Sequence, residues 1–123
     1  MKKKLYLSVC NQALLNGYAS CFGNITDIDG EPIEPDHGYL VPVISEEYPA
    51  LDKDTLYSFV RKNRNLLYND TRCLLVHEHN DGNYSFSVCD LMQDKRNAIF
   101  LGLKSNKKFI FDNQTKQLSY SKR

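Results

Sequence analysis

Tryptophan is absent from this 123-residue chain, and proline (four), glycine (six) and cysteine (four) are sparse. So little glycine and proline excludes a collagen-like or low-complexity chain. The cysteines, Cys10, Cys21, Cys73 and Cys89, are spread along the chain without C-x-x-C spacing, and so few of them exclude a disulfide-packed miniprotein. No apolar run approaches the roughly 20 residues of a membrane-spanning helix. Neither charge sign is in excess: 16 Lys+Arg against 15 Asp+Glu leave +1, which argues against nucleic acid or a membrane as partner. What remains is one compact domain over residues 1–123.

The basic start Met1-Lys2-Lys3-Lys4 is followed by only six residues, Leu5 to Cys10, before Asn11-Gln12. A secretory core needs about 7–15 apolar residues and a small residue before the cut, so no export signal is read. Residues 4–10 are expected as a first strand, with Leu5, Leu7 and Val9 facing inward. Without an export signal the thiols are expected reduced, in or beside strands, and the protein cytoplasmic.

Period-two alternation predicts further strands at 17–23, 39–44, 72–79, 83–89, 97–103, 107–112 and 117–121. Pro42 confines its strand to an edge or a bulge. One main helix is expected at about 52–67, where Leu56, Phe59, Val60, Asn63 and Leu67 recur at three- and four-residue spacing behind Asp52 or Asp54. Asn80-Asp81-Gly82-Asn83 reads as a hairpin turn, and Asp112 to Thr115 as a second turn. The fold class is therefore α+β, a curled antiparallel sheet or small β-barrel of six to seven strands.

Three stretches could carry chemistry. Residues 17–35 run from a strand into a proline-stiffened loop with Asp27, Asp29, Glu31 and Glu34; a solvated loop is the plain alternative. On a strand over 73–79, Cys73, Leu75, His77 and His79 share one face. Two imidazoles and a distant thiol do not complete a zinc site, so no metal is assigned. Either imidazole could act as a general base, or the two could be hydrogen-bonded histidines at a strand end. Ser119 and Ser121 become nucleophiles only beside a base and oxyanion donors.

In order, these stretches resemble the prohead (capsid-maturation) protease family of tailed phages, which is related in fold to herpesvirus assembly proteases. The resemblance rests on Gly17-Tyr18-Ala19-Ser20-Cys21-Phe22-Gly23-Asn24, then Asp27, Gly30-Glu31, Ile33 and Pro35, and more loosely on Leu75-Val76-His77-Glu78-His79-Asn80 and residues 94–103. It implies His79 as catalytic base, Ser119 in Leu118-Ser119-Tyr120 as nucleophile, and His37 or His77 as the orienting group. The departures are specific: Asp36-His37 stands where the family has Gly, the family's helix before the serine is missing, and no His follows His79. The implied protein is a shortened, serine protease-like relative acting on a capsid or scaffold protein, without a cofactor.

The second reading is a non-catalytic protein-binding module, such as an immunity protein or a phage-encoded inhibitor of a host protein. Eight tyrosines suit a recognition surface, with Tyr6, Tyr18, Tyr84 and Tyr120 as candidates on an outer sheet face. Ordinary half-buried strand packing is the alternative for each.

Overall fold

The computed structural model describes residues 3–22, 35–67, 72–104 and 109–120. The elements in chain order are α1 (Lys3–Asn16), β1 (Tyr18–Phe22), β2 (Tyr39–Tyr48), α2 (Lys53–Lys62), α3 (Arg64–Leu67), β3 (Arg72–Glu78), β4 (Tyr84–Met92), α4 (Lys95–Lys104), β5 (Phe109–Asp112) and β6 (Gln117–Tyr120). The six strands form the expected curled antiparallel sheet, in the order β1-β3-β4-β2-β5-β6. The long strand β2 bends where its pairing with β4 slips between Pro42 and Ile44. Proline has no N–H to donate, and a bulge is where a ladder tolerates that loss.

Two expected strands are helices. Residues 4–10 belong to α1, because Lys, Leu, Ala and Gln are good helix formers and Val9 is the one β-branched residue between Lys3 and Asn16. The helix stops at Gly17, whose positive φ lets its N–H return to the Ala13 carbonyl at 2.8 Å. Val9, Cys10 and Ala13 face the sheet, whereas Leu7, expected inside, faces outward. Cys10 accordingly sits on a helix, although it and the other three cysteines are buried.

Residues 97–103 belong to α4. Asp94 caps its start, accepting the Arg96 N–H at 2.9 Å. Ala98 and Leu101, one helical turn apart, pack on Val41 and Ile110. The expected helix at 52–67 is divided at Asn63, whose side-chain amide donates to the Phe59 carbonyl at 2.9 Å, so α2 ends and α3 begins there.

The sheet has two unlike faces. On one, Ala19, Cys21, Leu74, Val76, Phe86 and Val88 meet Val9, Cys10, Ala13, Leu56, Phe59, Val60 and Leu67 from α1 to α3. Phe86 is the hub, stacked on Tyr48 at 4.5 Å and edge-on to Phe59 at 5.8 Å. On the inner face of the curl, Leu40, Cys73, Leu75, Cys89, Phe109 and Phe111 pack together. Among the described residues no helix is long and apolar enough to cross a membrane.

Candidate functional site

Antiparallel register builds a polar row across the inner face: Tyr18 opposite His77, His77 opposite Ser85, and Ser85 opposite Glu47. The β3–β4 hairpin sets that register. Its turn is closed by the His79 N–H to the Asn83 carbonyl at 2.8 Å, with Gly82 at positive φ and the Asp81 carboxylate accepting the Asn83 N–H at 2.9 Å. His79 thus sits just past the end of β3, and its Nε2 lies 2.9 Å from the Ser85 hydroxyl.

The two expected imidazoles are brought together, with ring centroids 5.6 Å apart. The curl then folds β5 over them: Phe111 meets His77 at 5.9 Å and Phe109 meets His79 at 5.9 Å, both edge-on. Nδ1 of His77 is buried with no hydrogen-bond partner. Burial, and secondarily the neighbouring His79, pull the His77 pKa down to about 4, so this imidazole is neutral at physiological pH. A neutral imidazole is a potential base, but its apolar enclosure restricts what reaches it.

The other expected site residues lie elsewhere. Ser119 is the cross-strand partner of Ile110, which packs on Val41 and Ala98 beneath α4. Alternation along β6 therefore puts Ser119 on the helix-bearing face, opposite the face on which Leu118 packs with Phe111 and the imidazoles meet β5. His37 is exposed beside β2, its Nδ1 2.6 Å from the carboxylate of Asp36, and that contact holds the Asp36 pKa below the usual carboxylate range. The serine on His79 is Ser85, which sequence reasoning did not name. Centring the turn on residue 81 makes paired positions add to 162, which puts Ser85 opposite His77; a four-residue turn over Asn80–Asn83 centres half a residue later and pairs Ser85 with Glu78 instead. Ser85 is 1% exposed, so no peptide carbonyl can approach its oxygen.

Cys73, the distant thiol, is fully buried beside Leu40, Leu75 and Cys89, and no group of three metal-ligating side chains converges among the described residues. Of the 17–35 stretch, residues 23–34 lie outside the described residues. Tyr84 is a core residue packed with Phe86 and Val76, and Tyr18 lies against Phe111 at 5.6 Å. Tyr84 is thus not a surface aromatic and Tyr18 is half-buried; the side chains of Tyr6 and Tyr120 lie outside the described set.

Among the described residues, the large exposed apolar side chains are instead on helices. On α4, Phe100 is 65% and Ile99 42% exposed, because anchoring Ala98 and Leu101 inward turns their neighbours out. Asp94, Lys95, Arg96 and Ile99 line a shallow open groove beside them. On α1, Leu7, Leu14 and Leu15 are 50%, 62% and 84% exposed. The signal in the sequence was the seven-residue step from Leu7 to Leu14, which fits two helical turns and not a strand. No known protein-family model, no curated protein and no solved structure matches this chain.

Proposed function

We propose that this chain is a non-catalytic protein-binding module that engages an acidic protein surface through α4. The observation that carries this is Phe100, a large aromatic side chain standing in solvent beside Ile99. An aromatic anchor with a cationic flank is the usual composition of an interface centre, and burying it in a partner's pocket recovers the area it exposes. The flank is Lys95 and Arg96, both exposed. Opposite charge steers such a patch toward acidic surfaces.

The remoteness of Ser119 from the imidazole-bearing face, and the burial of Ser85, favour recognition over proteolysis. Four buried cysteines in no disulfide support a reducing compartment such as the cytoplasm.

The test is a photo-crosslinking amino acid placed at Phe100 in the producing cells, with Lys62 on α2 as an exposed control. The expected result is a discrete adduct at 100 and none at 62, with its yield lowered when a lysate of the same cells is irradiated in added salt. Equal labelling at both positions, or no adduct at either, would remove this reading.

A further inference from the structure

The outward face of α1 has a property that the α4 patch lacks: it is complementary to itself. Leu7, Ser8, Asn11, Gln12 and Leu15 line a shallow groove along the helix, and Leu14 and Leu15 project beside it. Asn11 stands midway between Leu7 and Leu15. Two such helices laid antiparallel about a two-fold axis at Asn11 pair position i with 22 − i. Leu15 of the partner subunit then falls on Leu7, Leu14 of the partner subunit on Ser8, and the two Asn11 amides on each other. Each helix supplies both the projecting leucine and the groove that receives it, which is what an isologous interface requires.

Charge points to the same orientation. The chain has no Asp or Glu before Asp27, and its first cations are Lys2, Lys3 and Lys4. Lys3 and Lys4 occupy the first turn of α1, the positive end of the dipole, where cations are unfavourable, while its last turn, where they are favourable, has none. Antiparallel pairing puts the lysines of each copy at the carboxyl end of the other. Parallel pairing would set both lysine runs side by side. Paired Asn side chains at the centre of a leucine seam fix register at some cost in affinity.

We infer that the outer face of α1 is a homodimer interface in which two copies pack antiparallel about Asn11. At 14 residues α1 is about 21 Å long. One helix face per copy is less than the roughly 800 Å² per partner of a standard interface, which makes the dimer weak and concentration-dependent. This interface is separate from α4 and does not rest on the reading of that helix.

Light scattering of the full chain over about 5–500 μM, spanning micromolar dissociation constants, tests it. A rise from monomer to dimer mass is expected in the wild type, with Leu15→Asp raising the dissociation constant at least about 30-fold. Because Leu15 is a surface residue, an unchanged melting curve separates lost pairing from lost fold. All four native thiols are buried, so Asn11→Cys supplies one accessible thiol on the axis. With oxidised glutathione as oxidant, two protomers form one disulfide and release two reduced glutathiones; this should outpace Ser58→Cys on α2 severalfold. A wild type that stays monomeric throughout, a dimer indifferent to Leu15→Asp, or equal crosslinking of the two thiol variants would overturn the inference. None of these outcomes bears on adduct formation at Phe100.

Discussion

The imidazole of His77 is the most constrained polar group of the inner face. Its Nδ1 is buried without a partner, Phe111 lies edge-on to it, and the second imidazole is 5.6 Å away. Its folded pKa of about 4 lies below the ordinary 6.5, so at acid pH the unfolded chain takes up the proton more readily. The stability contributed by the neutral ring is complete above about 6.5 and is lost as pH falls toward 4. A partly exposed ring loses some of this to solvent screening, leaving on the order of 1–2 kcal/mol. Titrated by urea unfolding between about pH 7 and pH 4, His77→Gln should show a flatter acid limb than the wild type, by that amount. An unchanged limb would mean that His77 is not held neutral. Neighbouring Ser85 makes a hydrogen bond to His79 of ordinary structural worth, about 0.5–1.5 kcal/mol.

Packing decides which elements were legible in the sequence. Strands β3 and β4 could be read because both faces are buried, although their register is set by a loop over residues 80–82, one residue shorter than the expected Asn80–Asn83 turn. The α2 stripe Leu56, Phe59 and Val60 reappears as the helix face on the sheet. Residues 4–10 and 97–103 misled because short apolar runs satisfy both periods. Tertiary contact resolves the two cases: Val9 with Ala13, and Ala98 with Leu101, recur at helical spacing against the sheet. The imidazole pair was legible from alternation, but its true neighbours on β5 depend on the curl of the whole sheet, which no local pattern encodes. Helix and sheet are joined through Phe86, between Tyr48 and Phe59. Truncation by Phe86→Ala should cost about 3–5 kcal/mol, read from the shift in urea midpoint. A cost under about 1 kcal/mol would show that α2 is not held by this residue.

At the scale of the molecule, polar chemistry and exposed apolar surface lie on different sides of the sheet. The histidines and Ser85 are folded inside the curl, whereas Phe100, Ile99 and the α1 leucines stand on helices of the opposite face. A protease needs its nucleophile and base in one accessible cleft; a binding module needs anchors in solvent. The most direct measurement is calorimetric titration of the protein crosslinked at Phe100 against four chains: wild type, Phe100→Ser, Ser85→Ala and Ser119→Ala. The account predicts that Phe100→Ser weakens binding by about 30-fold or more, that both serine variants bind like the wild type, and that the partner is recovered intact. Cleavage of the partner by the wild type, abolished in either serine variant, would contradict it.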